Sequence, residues 1–388
     1  MPLPASSEMV AELVRTPSIS CFDPALDTSN RAVCATLGAF LEDAGARVTL
    51  QEVPGARDKV NLLARFGSGP PGLALCGHTD TVPFDDARWT VDPFAATTRD
   101  HRLYGLGSAD MKGFLAICAS VLAQHNANAL TREIIVLGSA DEETSMAGAR
   151  ALVDSGATLA PFAVVGEPTS LRPMRQHKGI FMEGIRLLGR SGHSSNPALG
   201  ANAIDALHAV LSTLMQWRDE LRDRFHDVAF DVPHPTLNFG RVEGGDNPNR
   251  ICANASLQID MRLMPGMTVN DTRRGLHQRV REAIHGSGVQ VEFDSLFAGV
   301  EPLCTAADSD LVTQCEGLSG HTASCVNFGT EAPFYTTLGA QSVVFGPGDI
   351  DLAHQPDEYL DLTQIAPTER ALSALVHHYC GPDAKATP

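Results

Sequence analysis

Residues 133–167 read EIIVLGSADEETSMAGARALVDSGATLAPFAVVGE. An apolar run at 133–138 ends in Gly-Ser and an acidic cluster, an amphipathic stretch follows at 145–154, and a second apolar run closes at 162–165. Short apolar runs bounded by small residues predict buried strands, and the intervening 3.6-residue periodicity predicts a helix. Strand, helix and buried strand in succession are the unit of an α/β layer fold with a mainly parallel sheet.

The same alternation extends on both sides. Strands are predicted at 60–66 and 72–76, and a helix apolar on all faces at 111–124. After residue 180 the rhythm changes: strands at 180–188, 236–242, 251–263 and 289–293 are spaced by long amphipathic helices at 202–225 and 268–284. Within 252–261 the apolar residues alternate (Cys252, Ala255, Leu257, Ile259, Met261), as on an antiparallel sheet with one covered face. A strand at 342–345 and a helix at 363–378 resume the first pattern. The expected architecture is an α/β domain built from 1–179 and 292–388. Inserted in it at 180–291 is an α+β domain of four strands and two helices.

Composition narrows the function classes. The 388 residues carry a formal net charge of −17, which speaks against nucleic acid as a partner. The nine cysteines, at 21, 34, 76, 118, 252, 304, 315, 325 and 380, include no CxxC pair, and several lie inside apolar runs. That usage suits buried thiols in a reducing compartment. No signal-like segment and no apolar run near 18 residues is visible, so a cytoplasmic location without membrane contact is expected.

Five segments place metal-ligand residue types just after predicted strands: His78 in LCGHTDTVP, Asp110 in GLGSADMKG, Glu143 in SADEETS, Glu167 in VVGEPTS and His354 in LAHQPDEY. A single histidine in an α/β protein is usually structural, and this chain has 14. An acidic pair such as Glu142-Glu143 commonly just complements a helix N-terminus. The five together are different, because open α/β sheets gather ligands at the carboxyl ends of their strands. Imidazole and carboxylate without thiolate suit zinc or a similar divalent ion.

These motifs, His78-Thr-Asp80, Asp110-Met-Lys-Gly113, Glu142-Glu143, Glu167-Pro and the late His354, resemble the metal sites of the dinuclear zinc aminoacylase, carboxypeptidase and deacetylase family. The segments GEPTSLRPMRQHKG, SGHSSNPALGANAI, NRICANASLQIDMRLMPGM and GTEAPF look closest to its acetylornithine-deacetylating branch. The resemblance implies a metal-dependent amide hydrolase that converts N2-acetyl-L-ornithine to L-ornithine and acetate, as in arginine biosynthesis. The alternative substrates are other N-acyl amino acids, such as succinyl-diaminopimelate or acetylcitrulline. Two divalent ions are implied, zinc with cobalt able to substitute. His78, Asp110 and Glu167 would hold one and Asp110, Glu143 and His354 the other, with Asp110 bridging. Asp80 would fix the His78 tautomer by bonding its second ring nitrogen, and Glu142 would be the general base. The Asp110–Met111 peptide is expected to be cis.

The family likeness also suggests His193 of SGHSS as an oxyanion donor, carried by an inserted lid that pairs two chains into a homodimer. Asn249 and Arg262 would grip the substrate carboxylate, with Lys178 of HKG a weaker candidate and a sheet-surface ion pair the alternative for Arg262. Glu331 of GTEAPF is the candidate partner for a substrate ammonium. Leu106 departs from the family, many of whose members carry arginine there. A binding protein on the same scaffold, or a dipeptidase or carbamoyl-amide hydrolase, are the competing classes.

Overall fold

The apolar runs at 133–138 and 162–165 lie in one sheet in the computed structural model, which describes residues 3–384. Its strands are β1 (Arg47–Glu52), β2 (Val60–Phe66), β3 (Pro71–His78), β4 (Glu133–Ser139) and β5 (Phe162–Val165). The chain then builds a second sheet from β6 (Gly179–Leu188), β7 (Thr236–Gly244), β8 (Asn254–Leu263) and β9 (Gln290–Val300), and returns to the first with β10 (Gln341–Val344). In the first sheet the order is β1-β2-β4-β3-β5-β10, continued past β10 by the short strands Met174–His177 and Leu303–Cys304. β4, β3, β5 and β10 run parallel, while β1 and β2 form an antiparallel margin.

The parallel strands are buried along almost their whole length (β3 from Gly72 to His78, β4 from Ile134 to Ser139), which is why they read as continuous apolar runs and not as alternations. The helix Lys112–Ala123 (α3) is buried at ten of its 12 residues. It is walled by Ser6–Val14 (α1), Arg31–Asp43 (α2) and Ile365–Cys380 (α9). Phe114 of α3 packs so tightly on Gly166 that a Cβ there would lie 2.0 Å from the ring. Only glycine lets the chain leave β5 at that point toward Glu167.

The second sheet has the order β7-β8-β6-β9, antiparallel throughout. The alternation in β8 puts Ala255, Leu257, Ile259, Met261 and Leu263 on the face covered by helix Ala203–Arg224 (α5), while Val269–Ala283 (α6) lies on β6 and β9. β8 starts at Asn254, not 251, and β9 runs on to Val300, well past the expected end at 293.

The chain packs as two compact units. The larger comprises Met1–Arg175, Thr305–Ser324 and Thr330–Pro388, and the smaller Gln176–Cys304 with Cys325–Gly329. The smaller is thus wider than the expected 180–291, because β9 keeps pairing with β6 through Val300 and Ile180. Among the described residues, no helix is long and apolar enough to cross a membrane.

Candidate metal centre

Adjacent parallel strands deliver the ligand candidates in spatial order. His78 ends β3, Glu142 and Glu143 follow β4, and Glu167 follows β5. Asp110 directly precedes α3, and the Asp110–Met111 peptide is cis. His354 follows β10 and holds a left-handed backbone, φ 60°. The loop after β4 is shaped by Asp141, also left-handed (φ 63°), whose carbonyl accepts the N–H groups of Ser145 and Met146. Met146 is left-handed too, so the next helix (α4) starts at Ala147 and not at 145.

The side chains converge. His78 Nε2 lies 3.0 Å from Asp110 Oδ1 and 4.0 Å from Glu167 Oε2. His354 Nε2 lies 3.0 Å from Glu143 Oε2 and 3.6 Å from Asp110 Oδ2. Each Asp110 oxygen therefore faces a different histidine. Ligand atoms of His78, Asp110 and Glu143 sit within 4.8 Å of one another.

Charge explains what such a cluster needs. Asp110, Glu142 and Glu167 are at most 9% exposed, and the Glu143 carboxylate is buried as well. Burial, joined by the charges of Glu167 and Glu143, pushes the Glu142 carboxyl well above the ordinary range. Burial and the Asp110 charge do the same to Glu167. Burial alone would push the His78 imidazolium down, but the Asp110 hydrogen bond and the Glu167 charge outweigh it and hold it well above its usual value. The hydrogen bond to Glu143 lifts His354 to about 9. Four carboxylates meeting two imidazoles is a surplus of negative charge in a dry place. Divalent cations answer that surplus, and oxygen and nitrogen donors in this number fit them.

Asp80 departs from its expected role. Its backbone carbonyl, 3.0 Å away, takes the His78 Nδ1 proton, while its carboxylate oxygen is 3.8 Å from that nitrogen. The carboxylate instead accepts the backbone N–H groups of Glu142 and Glu143, both at 3.2 Å. A fully buried anion satisfied by two amides orients the two glutamates more than the imidazole. Glu331 is 1% exposed, at the start of helix Ala332–Thr337, and one oxygen accepts from Ser139 Oγ (2.5 Å) and Tyr335 Oη (2.8 Å). It is an interior acid of the larger unit. Leu106 is buried in that unit.

The remaining candidates belong to the smaller unit. His193 is exposed beside Arg250 and meets the Ser195 hydroxyl through Nδ1 at 2.8 Å, and Asn249 is exposed nearby, its carbonyl accepting from Ser194. Arg262 Nε donates to Asp260 Oδ1 at 2.9 Å, two residues back on β8, the ion pair weighed as its alternative role. Lys178 donates to the His234 carbonyl at 2.9 Å; burial, with the Arg262 charge, lowers it to about 8.

Sequence reasoning missed Glu358. Its buried carboxylate accepts the N–H groups of Gly107, Ala109 and Asp110 at 3.0, 2.8 and 3.0 Å. The available signal was an acid four residues after His354, just before a three-residue strand.

Known proteins carry the same frame. The family described as peptidase family M20/M25/M40 matches residues 74–378. A protein of Salmonella heidelberg (strain SL476) named acetylornithine deacetylase is 47% identical over 381 residues, 97% of this chain and 98% of its own. A protein of the same name from Edwardsiella ictaluri (strain 93-146) is 46% identical over 378 residues, again 97% and 98% of the two chains. Among solved structures, an M20 family metallo-carboxypeptidase from Sulfolobus solfataricus superposes with a TM-score of 0.74 at 18% identity, covering 97% of this chain and 99% of its own. A dinuclear metal-binding peptidase of the M20 family from Bacillus subtilis does so with a TM-score of 0.66 at 15% identity, covering 95% and 96%. With the matched span reaching from β3 to α9 and relatives of this identity along nearly the full chain, this protein belongs to peptidase family M20/M25/M40.

Proposed function

We propose that this protein is a two-metal amidohydrolase that releases acetate from N2-acetyl-L-ornithine. The observation that carries the reading is the convergence of the buried His78, Asp110, Glu143 and Glu167 side chains with the more exposed His354, beside an additional carboxylate, Glu142, in a chain 46–47% identical to proteins named for that activity.

His78, Asp110 and Glu167 would hold one divalent ion and Asp110, Glu143 and His354 the other, zinc in each with cobalt able to replace it. The ions, when bound, supply Lewis acidity toward the amide carbonyl and the attacking water. Glu142 takes the proton from that water and passes it to the leaving amine, and burial that raises its affinity for a proton suits a group that must hold one between two transfers. Asp80 keeps Glu142 and Glu143 at fixed height through their N–H groups. In the smaller unit, His193 would donate to the carbonyl oxygen as charge develops on it. Arg262, Asn249 and Lys178 would receive the α-carboxylate. Lys178 supports that part: burial and the nearby Arg262 charge lower it, and two neighbouring cations favour an anion between them.

Two chains would pair through the smaller unit. β7 is an edge strand whose last five residues are exposed, Val242 among them, and an unpaired edge invites a second copy across a two-fold axis. Sedimentation should give two chains per particle, and a fully active monomer would remove this part of the proposal.

The decisive assay is ninhydrin-detected deacylation across N-acetylornithine, N-acetylcitrulline and N-succinyl-diaminopimelate, with and without chelator. Acetylornithine should give the highest kcat/KM, chelation should abolish turnover, and zinc or cobalt should restore it. Full activity in metal-free protein, or preference for the succinyl substrate, overturns the assignment.

A further inference from the structure

Asp110 must present two oxygens in two directions, one toward His78 and one toward His354. A side chain with only two rotatable bonds does this only if its backbone is aimed correctly, and the backbone here is a tight turn, with Gly107 at φ 81°. Residues 105–110 pair with no strand, yet the turn is buried throughout. Its N–H groups need acceptors, because a buried unpaired amide is costly.

Glu358 supplies them. One oxygen accepts from Ala109 at 2.8 Å and Asp110 at 3.0 Å, the other from Gly107 at 3.0 Å. The Glu358 carbonyl also accepts the Gly105 N–H at 2.9 Å. Beyond it, Tyr359–Asp361 pairs antiparallel with Arg102–Tyr104, so the strand leading into the turn is fixed by the residues following the acid. Glu358 is 1% exposed and lies 248 residues from Asp110 in the chain, but only four beyond His354. It thereby ties the segment carrying the shared ligand to the segment carrying the last one.

We infer that Glu358 is a positioning residue, whose carboxylate aims Asp110 by gripping three amides of the 107–110 turn and so sets how tightly the metal pair is held. The inference rests on the assignment of Asp110 as the bridging ligand. An acceptor with two oxygens on three amides fixes direction as well as distance. A carboxamide of the same shape keeps one accepting oxygen and turns an NH2 group against an amide N–H. A shortened carboxylate keeps both oxygens but falls about one methylene short.

The test measures zinc affinity by chelator competition, together with the visible spectrum of cobalt-loaded protein, for the native chain, Glu358→Gln and Glu358→Asp. Both variants should bind zinc on the order of 10–100-fold more weakly, the usual range for groups that orient a ligand. Their cobalt spectra should shift, with kcat falling more than KM rises. Asp361→Ala, which removes the cap of the helical turn 362–364 without touching the 107–110 turn, should lower the melting temperature and leave zinc affinity unchanged. If the native chain holds no metal pair, the function assigned above fails. If it holds one and both Glu358 variants match its affinity and spectrum, even at a lowered melting temperature, Glu358 merely supports the fold and this inference fails. Should Glu358→Gln not fold, Glu358→Asp decides alone.

Discussion

Glu142 in the larger unit and Glu183 in the smaller are both buried, and their surroundings are opposites. Glu183 projects from β6 at 2% exposure and finds Arg273 Nε at 2.9 Å and His277 Nε2 at 2.7 Å. Those partners lie four residues apart on α6, one turn of the same face, with His277 stacked on Phe293. Glu142 has Glu167 and Glu143 for neighbours, with His78 acting against them and no side-chain ion pair of its own among the described residues. The smaller unit balances its buried charge with its own side chains, so that charge serves packing and register. The larger unit leaves its acids short of cations, and that shortage is what makes the cluster a binding site.

The comparison can be broken by exchanging charge for amide on each side. Glu142→Gln should lose 10²- to 10⁴-fold in kcat while both ions stay bound and the melting temperature hardly moves. A near-native kcat places the base elsewhere. Glu183→Gln should do the reverse, costing about 3–5 kcal/mol of stability, the range for breaking a buried ion pair. Its ion content should be unaltered, and denaturant unfolding with metal analysis reads both. Loss of metal without loss of stability would erase the distinction.

A smaller effect concerns Glu331. Burial pushes its carboxyl up to about 7, against the hydrogen bonds from Ser139 and Tyr335. The folded chain then holds this proton more tightly than the unfolded chain, so the stability it confers is present in acid and lost as pH rises through about 7. Glu331→Gln should therefore reduce the fall in melting temperature of chelated protein between pH 5 and pH 8. Parallel curves for variant and native chain would show that Glu331 does not titrate there.

How much of this was legible depended on who the partner is. β3, β4, β5 and α3 announce themselves because burial on both faces demands unbroken apolar runs, and β8 because burial on one face demands alternation. The candidate ligands stood out because five segments place an imidazole or carboxylate donor after an apolar run or before a helix. The strand β1 offered less, as an exposed margin with no alternation. Asp80 and Glu358 were misjudged or missed for one reason. Their carboxylates bind backbone amides, which every residue possesses, so no letter in the sequence marks the partner. The contacts of Glu331 with Ser139 and Tyr335 are likewise visible only in the packing, since Ser139 is 192 residues away in the chain.

The pairing of β10 with β5 sets an order of events during synthesis. Val343 lies beside Val164, yet the whole smaller unit is translated between them. Most of that unit is one continuous segment, 176–304, and can collapse on itself as it leaves the ribosome. β5 meanwhile waits with one flank bare until residue 341 emerges, and the helix Ile365–Cys380 that covers α3 arrives later still. A nascent chain halted before residue 341 therefore carries a finished insert within an unfinished host. It is the host, with its apolar strands still open to other chains, that calls for chaperone protection.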